Sequence, residues 1–497
     1  MLTRVSRTNL LSRWRAAWTV VRPFSSDESK LKERFVSVDR SGLKQPHNIH
    51  ALLKDNPQVK SVVKQSKENE LTRFLRSLIA LRGPLTVAEF MRHALSHPLY
   101  GYYMKRDVFG SKGDFTTAPE ISQMFGELVS IWCIATWQQM GSPSHVKIVE
   151  MGPGRGSLME DFIRTAKQFP AFYGSLEFHL VEISPALREI QQNKLMAVES
   201  DGKWQLPQNG PSIYWHEEIA QVPDGPTLFI AQELFDALPV HQFEYTENGW
   251  CERLVDINES PVSEDHFCFV VSPGPTPATR VYIGKEKIVT PETIKLKNLP
   301  QNASPQEILD SLNASEEPKT KDTPVLSPDV QVGDRIEICP LGIALIQEIS
   351  RRIGTHGGAA LVVDYGRDHP SEVSLRGIQK HEFVSVLREP GDVDLSIDVD
   401  FSTLKRFATA DGTVRAYGPI GQGLFLKEMG IEHRMAALFK NASEETQENI
   451  YAAYERLVDP DQMGTIFKAM ALVSNNIQGD PVAFSNTSQE EESCPKG

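Results

Sequence analysis

Cysteine is scarce in this 497-residue chain, and the five present (Cys133, Cys251, Cys268, Cys339, Cys494) form no C-x-x-C pair and no metal-ligand spacing. That pattern argues against a disulfide-built domain or a zinc site, and free thiols in a reducing compartment are expected. Long apolar runs are missing as well. The strongest candidate, Leu128 to Met140, ends in Trp-Gln-Gln-Met and is too short to cross a bilayer, which takes about 20 apolar residues. A soluble protein without a membrane span is expected. Histidines 179, 216, 241, 381 and 433 are scattered without ligand spacing, so no metal is implied. No Ser-His-Asp signature is present either, since Gly152-Pro-Gly-Arg-Gly156 has no nucleophile at its centre. Finally, positive charge is in deficit: the chain carries a net −13. Duplex nucleic acid is therefore disfavoured as a partner, because such binding rests on neutralising phosphates with Lys and Arg. An acidic surface suits a basic peptide or protein substrate.

The acid deficit at the N-terminus points the other way. Residues 1–26 hold five arginines (4, 7, 13, 15 and 22), four serines and no carboxylate before Asp27. Leu10, Leu11, Trp14 and Trp18 fall at helical spacing opposite Arg13 and Arg15. An Arg-rich, Ser-rich, acid-poor amphipathic segment is the signature of an organelle transit peptide, and mitochondrial matrix is the expected destination. Processing is expected near Arg22-Pro-Phe-Ser-Ser26. Losing the five arginines would take the chain from −13 to −18.

The most informative motif is Val146-Lys-Ile-Val-Glu150-Met-Gly152-Pro-Gly154-Arg-Gly156. A β-branched run ends in an acid, a glycine turn follows, and Ser157 to Lys167 reads as a helix. Strand, glycine turn and helix open a doubly wound α/β sheet, which binds ligands at the carboxyl ends of its strands. A dinucleotide fingerprint, G-x-G-x-x-G/A, would put Gly or Ala at 157, where this chain has Ser. Glu-x-Gly-x-Gly-x-Gly is instead the arrangement that S-adenosylmethionine (AdoMet) enzymes place after their first strand. Its glycines let the backbone approach an uncharged nucleoside and an amino-acid tail without a phosphate cradle. A nucleotide-binding Rossmann domain and a plain structural turn are the alternatives. Glu150, Gly152, Gly154 and Gly156 are the candidate cofactor contacts. Phe178-His-Leu-Val-Glu182 is a second apolar run ending in an acid, a position that commonly holds ribose hydroxyls, so Glu182 joins them.

Further strands are expected at Ser212–Trp215, Pro226–Ala231 and Gly358–Gly366, the last a continuous apolar run of the kind buried parallel strands require. A hairpin is expected from His241 to Asp256, turning at Glu247-Asn-Gly249. Arg335–Cys339 and a helix through Ile353 restore the sheet pattern. Upstream, Thr86 and Glu89 form a capping box for a helix burying Phe90, Met91, Ala94 and Leu95. A second helix runs through Ile121, Met124, Phe125, Leu128, Ile131 and Ala135 as one apolar stripe. Gly113-Asp-Phe-Thr-Thr-Ala-Pro-Glu120 between them reads either as a functional loop or as a capped helix start. These signals divide the chain into a transit peptide (1–26), a polar extension (27–80) and a helical region (81–145). The first part of an α/β core (146–256), a polar surface insertion (257–330), the second part of the core (331–485) and a disordered tail (486–497) follow. Within the insertion, Ser304-Pro-Gln-Glu307 marks a small helix.

Glu150-x-Gly-Pro-Gly-Arg-Gly156, Gln232-Glu-Leu-Phe-Asp-Ala-Leu-Pro-Val240, Val363-Asp-Tyr-Gly366 and Asp392-Val-Asp-Leu-Ser-Ile-Asp-Val-Asp-Phe401 occur in one order. So do Gly421-Gln-Gly-Leu-Phe-Leu426 and Met463-Gly-Thr-Ile-Phe-Lys468, with Gly113 to Ser122 ahead of them all. From about residue 80 to 480 this set resembles the MidA family of mitochondrial and bacterial AdoMet-dependent methyltransferases. The resemblance implies a Rossmann-like class I methyltransferase sheet with an added N-terminal helical region and a polar insertion. It also implies a type II protein-arginine methyltransferase making symmetric ω-dimethylarginine on a core peripheral-arm subunit of respiratory complex I, needed for that complex's assembly.

Arginine is a poor nucleophile, because its guanidinium stays protonated and delocalised. An enzyme can hold it in a fork of carboxylates, since bidentate pairing fixes plane and distance together. Glu233 and Asp236 are the candidates for that fork, and Asp364, from a neighbouring strand, is the second choice. Either of the first two could instead only cap a helix or pair within the domain. Asp394, Asp398 and Asp400 form another carboxylate cluster, read as structural, with Asp400 an N-cap before Phe401-Ser-Thr-Leu. Two other functions stay open: an AdoMet-fold assembly chaperone without catalysis, and a small-molecule methyltransferase.

Overall fold

The computed structural model describes residues 68–105, 116–200, 202–260, 263–283, 330–370, 372–440 and 442–484. The transit peptide, most of the 27–80 extension, Gly113 to Phe115, the helix expected at Ser304 and the tail lie outside the described residues.

Short β-branched runs build a twisted sheet whose middle is parallel. Strand Val146–Met151 lies between Leu176–Val181 and Thr227–Gln232, all parallel. Ser212–His216 extends the sheet beyond Leu176–Val181, and Gly358–Arg367 extends it beyond Thr227–Gln232, again in parallel. Phe467–Ser474 then adds antiparallel to Gly358–Arg367, and Val414–Gly421 pairs with it at the edge. The chain runs outward from Val146–Met151 on one side, then returns to lay Thr227–Gln232 on the other. That reversal creates a crevice at the carboxyl ends of these two strands, which is where such sheets bind ligands.

Alternation of side chains divides the core into two layers. Ile148, Phe178, Leu180, Leu228, Ile230, Leu361 and Val363 face one side, with the helices Gln123–Gln139 and Ser157–Ala166. Val149, Met151, Phe229, Ala231, Ala360 and Val362 face the other, against helices Pro340–His356 and Phe401–Ala408. Each fully buried large apolar side chain contributes about 1.5–3 kcal/mol relative to exposure.

Several expectations are met closely. Thr86 and Glu89 make the reciprocal capping box of helix Val87–Ser96, whose Phe90, Met91, Ala94 and Leu95 are buried. Asp400 caps Phe401–Ala408 through the Thr403 amide at 3.0 Å. The hairpin turns between Thr246 and Gly249.

Other expectations need correction. Helix Gln123–Gln139 does not present one stripe. It is buried on most sides, including Gly126, Glu127 and Ser130, while Ile131 is only half-buried and Ile121 belongs to a separate short helix, Ala118–Ile121. The hairpin strands His241–Thr246 and Gly249–Ile257 do not continue the main sheet. With Leu85–Thr86, Phe267–Val271 and Arg335–Ile338 they form a second sheet. Arg335–Ile338 therefore closes this smaller sheet and leaves the main one to Gly358–Arg367. Phe267–Val271 and helix Pro277–Tyr282 also give regular structure to the start of what reads as an insertion. Pro and Ser density hid a five-residue strand whose apolar face packs under Phe90. A third small sheet, Arg376–Gln379 between Glu382–Val384 and Asp394–Ser396, lies beyond the central strand.

Candidate functional site

The glycine turn sits at the mouth of the crevice. Gly152, Gly154 and Gly156 have φ of +68°, +53° and +80°, the left-handed region in which a β-carbon is costly. Gly156 begins helix Ser157–Ala166. Leu234 comes so near Gly152 that a β-carbon there would lie 2.9 Å from its Cδ1. Leu234 stands between Glu233 and Asp236, so the glycine turn and the acidic loop are in direct contact.

Glu150 is 3% exposed, and its Oε2 has no hydrogen-bond partner. Burial first, and then Glu182, push its carboxyl up to about 8. An orphaned carboxyl oxygen beside a glycine turn asks for a donor, and the amine of an amino-acid tail is one. Glu182 stands at the tip of the next strand. Its Oε1 accepts from the Ser184 amide at 2.8 Å and its Oε2 from Gln191 at 3.4 Å, and burial pushes it up to about 7. Gln191 was invisible in the sequence yet ties these parts together. Its amide also donates to the Gly154 carbonyl at 2.7 Å, while its own oxygen accepts from Trp215 at 2.8 Å. Glu150, the three glycines and Glu182 thus form one connected surface that fits AdoMet.

Beyond Leu234 lie the candidate substrate carboxylates. Glu233 follows directly on Thr227–Gln232 with φ +49°, a conformation rare outside glycine. Its amide donates to the Val363 carbonyl at 2.9 Å, and its Oε1 accepts from the Ala118 amide at 3.1 Å and from Gln232. Burial is the main cause that pushes it up to about 8, with Asp236 adding to the rise. Asp236 also is driven up by burial, to about 6, held there by the opposing hydroxyl of Tyr365 and the charge of Arg376. Its Oδ1 is shielded and unpartnered.

Asp364, the second choice for the fork, is fully buried. Its Oδ2 accepts from the amides of Leu234 (3.1 Å), Phe235 (2.9 Å) and Asp236 (3.3 Å), and its Oδ1 from Tyr365 (3.0 Å). These backbone bonds oppose the rise in pKa that burial, Asp236 and Glu233 impose. Both oxygens are committed to the protein, so Asp364 does not belong to a substrate fork. Asp394, Asp398 and Asp400 are structural: Asp394 accepts from Tyr103, Asp398 pairs with Arg376 at 2.6 Å, and Asp400 is the helix cap.

Three further groups went unread in the sequence. Tyr365 and Arg376 flank Asp236, and the Arg376 guanidinium lies 4.6 Å from the centre of the Tyr365 ring. Glu120, from the 113–122 motif, bonds Arg155 at 3.3 Å and the Ser157 hydroxyl. The same short segment reaches Glu233 through Ala118, so it touches both halves of the site. A cleft of about 530 Å³ opens past Arg376, lined among others by Arg367, His369, Ser374 and Asp398. Among the described residues no group of His, Cys, Asp or Glu could hold a metal ion, and no helix is long and apolar enough to cross a membrane.

Comparison with known proteins bears on the family and the fold. Residues 128–420 match a family described as "Putative S-adenosyl-L-methionine-dependent methyltransferase". The zebrafish (Danio rerio) protein arginine methyltransferase NDUFAF7, mitochondrial, is 36% identical over 425 residues, 84% of this chain and 89% of its own length. The human counterpart of that name is 36% identical over 83% of this chain and 86% of its own. A crystal structure from Burkholderia thailandensis with bound S-adenosyl-homocysteine shares the fold. Its TM-score is 0.62 at 21% identity, and the match covers 87% of this chain and 97% of that one.

Proposed function

Because this chain belongs to the family of AdoMet-dependent methyltransferases that includes the mitochondrial NDUFAF7 proteins, we propose that it methylates arginine in a protein substrate. The product would be symmetric ω-dimethylarginine. The substrate would be a core peripheral-arm subunit of respiratory complex I, modified in the mitochondrial matrix during assembly of that complex. The observation that carries the arginine reading is the pair Glu233 and Asp236, next to each other at the crevice and joined to the glycine turn by Leu234. The symmetric product, the complex I subunit and the matrix location rest on the family resemblance and on the Arg-rich residues 1–26.

AdoMet, when bound, supplies an electrophilic methyl group on a sulfonium and leaves as S-adenosylhomocysteine. Everything else falls to the chain. Glu150 would take the amine of the methionine tail, the glycines would admit the backbone of the ligand, and Glu182 would take the ribose hydroxyls. Asp236, with an unpartnered oxygen and a carboxyl held near 6, would anchor the substrate guanidinium as an anion. Glu233 would fix the plane of the same guanidinium and so orient one ω-nitrogen towards the methyl donor. That nitrogen sheds a proton as the new N–C bond forms and the C–S bond breaks. Burial pushes the Glu233 carboxyl up to about 8 without substrate; the adjacent guanidinium lets it ionise, and the carboxylate so formed is placed to accept that proton.

The test uses the protein without residues 1–26, radiolabelled AdoMet and a matrix extract from cells lacking this protein. Acid hydrolysis of the labelled band, followed by chromatography, should release symmetric ω-dimethylarginine from one complex I subunit. Label in asymmetric dimethylarginine, in lysine or in a small molecule would refute the proposal. A reporter carrying residues 1–26 should reach the matrix, and a cytosolic reporter would refute the location.

A further inference from the structure

The acidic loop is built around a buried carboxyl group. Asp364 receives three successive backbone amides, from Leu234, Phe235 and Asp236, on a single oxygen. Successive N–H groups converging on one acceptor form a nest, which fixes the curl of the loop that supplies them. The curl has two consequences for the site. Glu233, one residue before the nest, is turned into the left-handed region at φ +49°. Asp236, the last residue of the nest, has its backbone pinned where its side chain meets Tyr365. Tyr365 is itself the residue after Asp364, and its amide closes on the other oxygen at 3.0 Å.

The geometry points to Asp364 as a positioning residue: it sets the angles at which Glu233 and Asp236 leave the backbone and does not touch the substrate. This rests on the reading that Glu233 and Asp236 hold the substrate. The left-handed Glu233 supports it, since a non-glycine residue stays there only when its surroundings over-determine it. Its surroundings do so here, through the Val363 carbonyl on its own amide, the Ala118 amide on its side chain, and the nest that follows. A carboxyl serving only the fold could accept amides from any loop. This one accepts them from the loop bearing both candidate carboxylates.

The test is a mutant cycle with Asp364→Asn, Glu233→Gln and their double. AdoMet affinity is read by calorimetry and total methyl incorporation by radiolabel in the matrix extract, whatever residue accepts it. Asp364→Asn should leave AdoMet affinity within about threefold and slow methyl transfer about 100-fold, the scale of a misplacement near 1 Å. In the Glu233→Gln background its loss should be clearly smaller than in the wild type, because the part acting through Glu233 is already gone and only the part acting through Asp236 remains. Multiplying losses, or an unchanged rate in Asp364→Asn, would overturn the inference. Incorporation into a residue other than arginine would sink the arginine reading and leave the cycle to decide on Asp364. No incorporation by the wild type would overturn both. Should Asp364→Asn not fold, amide exchange in the wild type decides. The Leu234, Phe235 and Asp236 amides should exchange as slowly as those of Gly358–Arg367, and exchange at the rate of an open loop would refute the nest.

Discussion

Replacing Glu150 by Gln should stabilise the protein at alkaline pH while weakening AdoMet. Without ligand, burial holds the Glu150 carboxyl up at about 8 against an ordinary 4.5. The fold therefore keeps a proton that the unfolded chain releases. Stability from this group is full below pH 4.5 and is lost as pH rises through 8. At about 1.4 kcal/mol per pK unit, the loss has an upper bound of about 5 kcal/mol. Unfolding entropy scales as about 2.1 cal/mol/K per residue, so for 497 residues each kcal/mol moves Tm by about 1 °C. Scanning calorimetry from pH 5 to pH 9 should show wild-type Tm falling relative to Glu150→Gln by about 3–5 °C. In isothermal calorimetry the variant should bind AdoMet about 10- to 100-fold more weakly, the value of a lost charge-assisted hydrogen bond. Wild-type binding near pH 7 should release protons, because a cationic partner lets Glu150 ionise, and the measured heat should then depend on the buffer. Parallel Tm curves for the two proteins, or unchanged affinity, would refute the reasoning.

Gly154→Val should weaken AdoMet binding at least about 100-fold, since φ +53° with a branched side chain is strained and the side chain occupies the ligand's approach; wild-type affinity by calorimetry would overturn the site. Glu233→Gln should keep AdoMet affinity within about threefold and cut methyl transfer by about 100-fold or more, and wild-type turnover would remove Glu233 from the fork. Glu127 accepts from Arg164 at 2.8 Å and from Arg434 at 2.6 and 2.8 Å, tying three helices. Glu127→Gln should cost about 1–2 kcal/mol, discounted for the half-exposed arginines. Those arginines hold the Glu127 carboxyl below its ordinary range. Its contribution is therefore present above that range and fades as pH falls through it, and a Tm difference unchanged by acid would contradict this. Thr86→Ala should cost about 1 kcal/mol by denaturant titration through loss of the capping box, and no change in midpoint would contradict that.

Local signals were legible and long-range partnerships were not. The strand of Glu150, the glycine turn and the Thr86–Glu89 box are contiguous patterns, and each lies where its spacing indicates. Glu233 and Asp236 were singled out because two acids flank apolar residues at a strand's carboxyl end. Asp364 was the second choice for the fork, because the same strand-end position can point at a ligand or at a neighbouring loop, and here its carboxyl accepts the amides of residues 234–236. Only the backbone of residues 234–236 distinguishes the two. Gln191 and Arg376 carry no local signature at all, and Tyr365 sits in a motif that does not say what its hydroxyl meets. The second sheet was missed for a similar reason: Leu85 pairs with Val255, 170 positions away, and Arg335 with Glu244, 91 positions away.

Phe467–Ser474 lies inside the main sheet, between Val414–Gly421 and Gly358–Arg367. One neighbour of the strand bearing Asp364 is therefore made from residues more than 100 positions later in the chain. During synthesis or passage through a narrow channel, the amino-terminal half can assemble its own parallel strands. The second partner for that strand arrives only when residues 467–474 have emerged. Long-range pairing of this kind is slow to form, so closure of the sheet waits for that segment. A stop codon between positions 368 and 466 would leave the apolar strand Gly358–Arg367 without its Phe467–Ser474 partner, a surface prone to aggregation. Such truncations should fail as insoluble or degraded protein even though the glycine turn and both loop carboxylates are encoded intact.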